Sequence, residues 1–382
     1  MNIKILFFLL LPFKCYSLLN NLVIKNNEFN LAKEYYDFLK EHNKIDTINI
    51  INDNLNKEEI LSYSTKNKFN KKQILKNNKY EEIARNNYNK YKIFKSNFFK
   101  IRQFNELNNE IKLELNRFSD EVDFENNDLH TDLMKISNTP KKNDIFLKTL
   151  NFINKILNYR NLPKKLIWDD KIVSNVKNQG SCGSCWAFSS TGVLEANMRL
   201  NNYTVTRLSE QELVDCSKEN FGCDGGLMHL AFDYCIENKG LTSNKLYPYK
   251  AIDDNCKCNY SNNSNKLLRE IGSNITKYKF TIPKSKYDLM KSLQNGPICI
   301  AIDANSYIFR FYKSGVIDMP LRSSEINHAV ILTGYDSYEN GTYWIIQNSW
   351  GGNWGDNGYI KLKAIDGEGI LSCQLYGVYI PN

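Results

Sequence analysis

The chain has 382 residues, of which 42% are hydrophobic and 24% are charged, a balance typical of globular proteins. Its length exceeds one ordinary domain and indicates two or three segments. The net charge is +8, yet residues 162–382 carry 23 Lys and Arg against 22 Asp and Glu, so the excess lies before them. A nucleic-acid-binding role is therefore not expected.

The first 17 residues have the parts of a secretory signal peptide: Lys4, an apolar stretch at residues 5–13, and an acceptable cleavage site at residues 15–17. This stretch is too short to cross a bilayer as a helix, which needs about 20 residues, so no membrane anchor is expected. An N-terminal core strand is the alternative. A signal peptide implies the secretory pathway and an oxidising extracellular or lysosome- or vacuole-like compartment.

Five Asn-x-Ser/Thr sequences could carry glycans in such a compartment. They begin at Asn202, Asn259, Asn262, Asn274 and Asn340. Because the chain is rich in Asn, many of these sequences arise by chance and add little weight.

The first segment, residues 18–161, contains no Gly and has mainly helical periodicity. Apolar residues recur at helical spacing within residues 31–39 and again within residues 91–104. An Asn/Lys-rich stretch near residues 43–78 is typical of a solvated insertion. A short extended piece follows at residues 113–120.

The second segment, residues 162–382, contains all 19 Gly, all five Trp and nine of the ten Cys. A helix is predicted at residues 186–200, and Ser209 with Glu212 forms a capping box that opens another. Strands are predicted at residues 298–302, 328–334, 343–347 and 358–362. A helical half before a β half predicts an α+β fold of two lobes with a cleft between them.

The sharpest chemical signal is Gln-Gly-Ser-Cys-Gly-Ser-Cys-Trp at residues 179–186. Cys185 directly precedes a predicted helix, whose dipole and first N–H groups favour the nucleophilic thiolate. The alternatives are a zinc knuckle or a redox pair with Cys182. Zinc would need a second, similarly spaced pair, which Cys256-x-Cys258 supplies poorly, and a redox pair would follow a strand of a βαβ unit. No metal site is therefore predicted.

A thiolate nucleophile needs a base and an orienting group. The four His are His42, His130, His229 and His328. The first two lie in the Asn/Lys-rich segment, and His229 is predicted to be exposed on a helix. His328 opens a strand, where its side chain can point into a cleft. Asn348 could then fix the imidazole tautomer, with Trp350 shielding their hydrogen bond from water.

Together these motifs resemble the papain-like cysteine proteases over nearly the whole chain. The resemblance implies an α+β, two-lobe papain-like fold, with a helical lobe plus a β-barrel-like lobe, behind a mainly helical N-terminal inhibitory prosegment. It divides the chain into a signal peptide (1–17), an inhibitory propeptide (18–161) and a peptidase domain (162–382). It also implies a secreted or lysosomal endopeptidase, made as an inactive proenzyme, that needs no cofactor.

The resemblance also assigns roles to individual residues. Cys185 is the nucleophile, His328 its ion-pair partner and Asn348 the orienting group. Gln179 donates to the oxyanion together with the backbone N–H of Cys185.

For substrate, the resemblance implies that Gly225 and Gly226 pair with an extended peptide backbone. Further substrate contacts are Leu227, Met228, Ala301, Ile326, Ala329 and Trp350. The first five are apolar and resemble the walls of the S2 pocket, with Val378 as a candidate for its floor. Apolar P2 residues are therefore expected, and a P2 Arg is disfavoured.

Two disulfides follow from the same resemblance, Cys182–Cys223 and Cys216–Cys256, with Cys258 as an alternative partner in the second. A rearranged Cys299–Cys373 bridge is the alternative to buried thiols at those positions.

Within the propeptide, matches to the family's prosegment motifs occur at Phe94, Asn97, Ile101, Asn105, Asn116, Phe118 and Asp120. The acidic residues at 120–123 indicate that acid weakens docking of the propeptide on the catalytic lobe.

The expected partners are protein and peptide substrates, the chain's own propeptide as an intramolecular inhibitor, and cystatin-like inhibitors. Two rival functions remain open: a catalytically silent binding protein on a protease fold, and a prosegment that acts separately as a protease inhibitor.

Overall fold

The computed structural model describes most of the chain in several stretches. They are residues 30–42, 44, 87–121, 162–205, 207–258, 270, 273–321, 326–339 and 341–381. The predicted signal peptide, most of the Asn/Lys-rich insertion, and the sequons at Asn259, Asn262 and Asn340 lie outside the described residues. The chain divides into two compact units, one of Met1–Gln103 with Leu115–Val122 and one of Phe104–Glu114 with Asp123–Asn382.

The first unit is built on two helices, α1 at residues 30–41 and the part of α2 (Tyr88–Leu107) that precedes residue 104. The predicted apolar stripes meet here, because Tyr35 lies 5.1 Å from Phe94 between ring centroids and both side chains are fully buried. The helical periodicity read from both stretches is confirmed. Asn97 closes the unit by donating from Nδ2 to the carbonyl of Ser119 at 3.0 Å.

The second unit contains five α-helices among its described residues. They are α3 (Cys185–Leu200), α4 (Glu210–Cys216), α5 (Met228–Glu237), α6 (Lys286–Ser292) and α7 (Tyr307–Arg310). Ser209 is the N-cap of α4, since its hydroxyl accepts the Glu212 backbone N–H at 2.9 Å. The reciprocal bond of the predicted capping box is not made: the Ser209 N–H donates to the Thr242 carbonyl, and the Glu212 carboxylate accepts from Tyr234 and Thr242. No helix within the described stretches is both long and apolar enough to cross a membrane.

The strands follow mainly in the second half of this unit. They are β1 (Lys112–Leu113), β2 (Leu166–Ile167), β3 (Lys279–Phe280), β4 (Ile298–Ile302), β5 (Tyr312–Ser314), β6 (Val316–Ile317), β7 (His328–Tyr338), β8 (Gly341–Gln347), β9 (Tyr359–Lys363) and β10 (Gly377–Tyr379). Eight of them form one sheet in the order β3-β10-β4-β7-β8-β9-β6, with β2 added beside β7. The four strands predicted from the sequence are all confirmed within three or four residues.

Helix α3 packs against β7, and this contact brings the nucleophile to the sheet. The helix is buried over most of its length, and the Ser189 hydroxyl donates to the backbone carbonyl of Val330 at 2.9 Å. Because that bond joins the first turns of α3 to the beginning of β7, the start of the helix lies beside the start of the strand. The predicted α+β architecture of a helical and a β lobe is confirmed.

Candidate active site

Cys185 begins helix α3, where unpaired N–H groups and the helix dipole favour a negative charge on its sulfur. The side chain is fully buried. Its Sγ also accepts the backbone N–H of Ala329 at 3.3 Å, which places the sulfur beside the peptide that follows His328. The sequence-predicted nucleophile and base are therefore brought together by α3 and β7.

The imidazole of His328 is held by the side chain of Asn348, which follows the end of β8. His328 Nε2 lies 2.8 Å from Asn348 Oδ1, and the backbone N–H of Ser349 donates to the same oxygen at 2.8 Å. Because that oxygen can only accept, Nε2 must carry the proton of the bond. Nδ1 is then the nitrogen that remains for proton exchange.

Aromatic rings enclose this hydrogen bond. The centroid of the Trp350 ring lies 5.0 Å from that of the His328 ring, and the centroid of the Phe309 ring lies 6.1 Å from it. His328 is 1% exposed and Asn348 3% exposed. Exclusion of water from the bond strengthens it, because the local dielectric constant is low.

Gln179 lies on the loop before the nucleophile, and its side-chain nitrogen, side-chain oxygen and backbone N–H each make one hydrogen bond. Its Nε2 donates to the carbonyl of Cys182 at 2.9 Å, and its Oε1 accepts the hydroxyl of Ser349 at 2.6 Å. Its backbone N–H donates to the carbonyl of Ser349 at 2.9 Å. One Nε2 hydrogen is left over, so the side chain can still donate to a developing oxyanion. The sequence did not single out Ser349, although it stands beside Asn348.

The residues assigned to the S2 pocket occupy one apolar cluster with Cys185. Its members include Met228, Ala301, Ile326, Ala329 and Val378, with Leu227 packed against it. Gly225 and Gly226 directly precede Leu227 and Met228 in the chain. Gly225 has φ of 111° and ψ of 179°, which side-chain-bearing residues avoid, and a Cβ on Gly226 would meet Asn220 Oδ1 at 2.4 Å.

The prediction that His229 is an exposed helical residue is wrong. The imidazole is half-buried on α5, its Nδ1 lies 2.7 Å from the Tyr376 hydroxyl, and its ring packs edge-on against Phe280. Burial lowers the pKa of His229, although Asp233 opposes this shift. A partner 147 positions away cannot be read from helical spacing.

The structure contains the disulfides Cys182–Cys223 and Cys216–Cys256. The first joins the loop before the nucleophile to the segment before the Gly pair. Cys299 and Cys373 are buried thiols rather than a bridge, and burial raises the pKa of each to about 12. Such thiols are inert.

A buried ion cluster that the sequence did not reveal lies beside α3. The ammonium of Lys177 contacts Glu195 at 2.7 Å and Glu210 at 2.6 Å. Burial alone would lower the pKa of Lys177, but the two carboxylates outweigh it and raise that pKa. The cluster ties the segment before Gln179 to α3 and α4 and so supports the loop that carries the nucleophile.

Three comparisons with known proteins agree with this geometry. Residues 162–377 match the papain family cysteine protease model. The chain is similar to mouse cathepsin S, at 42% identity over 53% of this chain and 59% of the relative. It is also similar to a KDEL-tailed cysteine endopeptidase of Arabidopsis thaliana, at 37% identity over 69% of this chain and 71% of the relative.

Among solved structures, the chain is similar to a digestive procathepsin L2 proteinase from the larval midgut of Tenebrio molitor. The TM-score is 0.67 at 27% identity, over 92% of this chain and all of that one. The present chain covers less than two thirds of the length of mouse cathepsin S.

Proposed function

The chain belongs to the papain family of cysteine proteases, and on that premise we propose that it is a cysteine endopeptidase made as an inactive proenzyme. The observation that carries the proposal is the double acceptance by Asn348 Oδ1, at 2.8 Å from both His328 Nε2 and the Ser349 N–H. It presents the imidazole in the tautomer that a Cys nucleophile needs.

In the proposed reaction, the Cys185 thiolate attacks the carbonyl carbon of the scissile peptide bond. The backbone N–H of Cys185 and Nε2 of Gln179 stabilise the oxyanion that forms. Protonated Nδ1 of His328 then gives its proton to the leaving amine, and the acyl group stays on the sulfur. Water, deprotonated by the same nitrogen, releases the acid. The steps require no metal or organic cofactor.

Substrate selection is proposed to depend on the P2 side chain. The cluster that includes Met228, Ala301, Ile326, Ala329 and Val378 offers apolar atoms. Burial of an apolar P2 side chain is favourable, whereas an unpaired Arg would lose its hydration. Extended substrate is proposed to pair with the backbone at Gly225 and Gly226.

The contacts of residues 104–114 support the proposal that residues 18–161 are an inhibitory propeptide. This segment clusters with the peptidase domain, where β1 pairs with β5 and Glu114 lies 2.7 Å from Lys313. Gly315, with φ of 96°, allows the close approach, since a Cβ there would meet the Glu110 carbonyl at 2.0 Å. A segment bound in this way acts as an intramolecular inhibitor at high effective concentration, because no second molecule must be captured.

The secretory pathway, with an extracellular or lysosome-like destination, is the proposed location. Two disulfides support an oxidising compartment. Of the five sequons, Asn202 and Asn274 lie in the described residues, and both are exposed. Both are proposed to carry glycans, so glycosidase treatment of the secreted protein should increase its gel mobility, and Asn202→Gln and Asn274→Gln should each remove one step.

Labelling of the matured enzyme with a thiol-directed peptidyl epoxide tests the proposed activity. One label per chain on Cys185, with loss of peptidase activity, is the expected result. The Cys299→Ser variant is the matched control, because that thiol is buried and should not react. A matured chain that takes up no label and cleaves no peptide would instead be the catalytically silent binding protein.

A further inference from the structure

Tyr249 joins the two ends of the loop that precedes the nucleophile. Its hydroxyl donates to the backbone carbonyl of Gln179 at 2.7 Å and lies 2.6 Å from the hydroxyl of Ser184. Gln179 opens this loop, and Ser184 stands immediately before Cys185. No feature of the sequence marks Tyr249, which is 70 positions from Gln179.

The direction of both hydrogen bonds follows from the groups involved. A carbonyl oxygen only accepts, so the single hydroxyl proton of Tyr249 is committed to Gln179. The Ser184 hydroxyl has two acceptors, the phenol oxygen at 2.6 Å and the Cys182 carbonyl at 3.5 Å, and the much shorter distance assigns its proton to the phenol oxygen. The resulting chain, Ser184 to Tyr249 to Gln179, has one orientation, and hydrogen bonds in such a chain polarise one another.

This chain spans the two groups that are proposed to hold the oxyanion. One is the backbone N–H of Cys185, next to Ser184, and the other is Nε2 of Gln179. The remaining contacts of Gln179, to Cys182 and Ser349, orient its side chain. The Tyr249 hydroxyl instead holds the backbone of Gln179 at a fixed distance from Ser184, the residue that precedes α3. Oxyanion stabilisation depends on donors that are placed in advance, so this distance matters in the transition state.

We propose that Tyr249 is a positioning residue for the oxyanion hole. The proposal rests on the proposed protease function. Tyr249 touches neither the substrate nor the reacting atoms; it acts through the placement of Gln179 and Cys185.

The Tyr249→Phe variant tests this, because it removes the hydroxyl and keeps the ring, which packs edge-on against Phe188 at 4.8 Å. We expect kcat to fall about tenfold with KM unchanged, since removal of an entire oxyanion donor costs about 10²–10³. Affinity for a peptide aldehyde, which forms a tetrahedral adduct on Cys185, should fall by a similar factor. The rate of Cys185 alkylation by iodoacetamide should not change, because that reaction forms no oxyanion.

Two further variants complete the test. Ser184→Ala removes the other end of the chain and should reduce kcat and aldehyde affinity as well, with no additive loss in the double variant. Tyr247→Phe is the matched control: its hydroxyl bonds Asp215 at 2.7 Å, away from the loop, so both quantities should stay at the wild-type level.

Unchanged aldehyde affinity in Tyr249→Phe would overturn the positioning role, as would an alkylation rate that falls in parallel with kcat. Failure of the proposed function looks different, because wild-type Cys185 would then neither cleave peptides nor bind the aldehyde.

An independent observation concerns three sulfur atoms on the helical side of the fold. Cys258 is a buried thiol, and its Sγ forms a group with those of the Cys216–Cys256 disulfide in which all sulfurs lie within 4.8 Å of one another. A thiolate this close to a disulfide is positioned for exchange. Cys258 is 6% exposed, whereas Cys256 is only partly buried.

We infer that Cys258 exchanges with Cys256 as the partner of Cys216. The Cys258 thiolate attacks Cys216 Sγ, the Cys216–Cys256 bond breaks, and its electron pair leaves on Cys256, which takes up a proton. No oxidant or reductant is consumed. Exchange moves the thiol from a buried position to a more exposed one, where external reagents can reach it.

Peptide mapping of wild-type protein tests the exchange. After incubation at about pH 8 without reductant and an acid quench, we expect a Cys216–Cys258 peptide beside the Cys216–Cys256 peptide. Cys256→Ser should form the Cys216–Cys258 bridge quantitatively, and Cys258→Ser should give the original bridge alone. A wild-type map that never contains the Cys216–Cys258 peptide would contradict the exchange, whatever the variants show.

Discussion

His328 Nε2 lies 2.8 Å from Asn348 Oδ1, and the Ser349 backbone N–H occupies the same oxygen at 2.8 Å. The second bond determines the chemistry of the first, because a backbone N–H can only donate and therefore keeps the amide oxygen turned toward the imidazole. An Asn that flipped would present an N–H to Nε2 and select the opposite tautomer. The backbone at residue 349 thus helps to define which imidazole nitrogen exchanges protons.

The Asn348→Ala variant should lower kcat of the matured enzyme by about 10²-fold, because the imidazole loses its orientation and its tautomer preference. Asn348→Asp should retain more activity, since a carboxylate oxygen can accept both hydrogen bonds. Steady-state cleavage of a fluorogenic dipeptide measures both. Equal kcat in wild-type and Asn348→Ala enzyme would show that the bond does not orient the base.

Selectivity at P2 should follow the size of the apolar pocket. A peptide library should show kcat/KM for Leu or Phe at P2 at least about 10²-fold above that for Arg. Ala301, fully buried on β4, lies within the cluster. Ala301→Leu should narrow the pocket, so that kcat/KM for a P2 Phe peptide falls about tenfold while that for a P2 Val peptide changes little. Equal losses for both peptides would instead indicate general distortion.

The ion pair between Lys44 and Asp120 should stabilise the first unit. The Asp120 side chain is 1% exposed and Lys44 is 23% exposed, and the ammonium also lies 5.2 Å from the Phe38 ring centroid. The Asp120 carboxylate thus has a cationic partner within its own unit. That the acidic residues at 120–123 weaken docking in acid stays a prediction. Asp123 lies outside the described residues.

Lys44→Met keeps the apolar stem and removes the charge, which leaves Asp120 buried without its cation. A loss of about 2 kcal/mol is expected, below the usual cost of a broken buried pair because Lys44 is partly exposed. Amide hydrogen exchange, performed on a proenzyme that also carries Cys185→Ala, measures this loss of stability. The Lys44→Met variant should show about 30-fold lower protection of the α1 amides than the parent protein. The exposed Lys33→Met variant on the same helix should leave protection unchanged.

Local signals in the sequence were sufficient for most of the second unit. The N-cap at Ser209, the helix after Cys185 and the strand after His328 depend on neighbouring residues, and each is present in the structure. The family resemblance supplied the pairing of residues far apart in the chain, such as Cys185 with His328. The signal peptide and the propeptide boundaries remain predictions.

What the sequence did not reveal depends on long-range contacts between polar groups. Lys44 meets Asp120 across 76 positions, and Tyr249 meets Gln179 across 70. Neither pair has a spacing that a helix or strand would repeat, so only the folded chain brings them together. His229 shows the same effect, because a helical position that is polar by pattern is covered by a distant Tyr.

His229 should make the stability of the peptidase domain depend on pH. Burial lowers its pKa below the ordinary value of 6.5, with Asp233 on the same helix opposing the shift. Between pH 6.5 and the lower pKa of the folded state, the unfolded chain binds more protons than the folded one. The contribution of His229 to stability is therefore complete above pH 6.5 and is lost as pH falls through the folded-state pKa. The neutral ring also keeps its 2.7 Å hydrogen bond with Tyr376.

The His229→Gln variant removes the titrating group and keeps a side chain that can bond Tyr376. In a Cys185→Ala background, which prevents self-cleavage, the fall in Tm between pH 7.5 and pH 5.5 should be about 1–2 °C smaller than in the parent. His42, whose pKa burial also lowers, titrates in both proteins and cancels. Asp288, whose pKa burial raises above 3.8, favours the folded state in acid and is unchanged between the two. If Tm falls by the same amount between pH 7.5 and pH 5.5 in the parent and in the His229→Gln variant, His229 does not contribute to the pH dependence of stability.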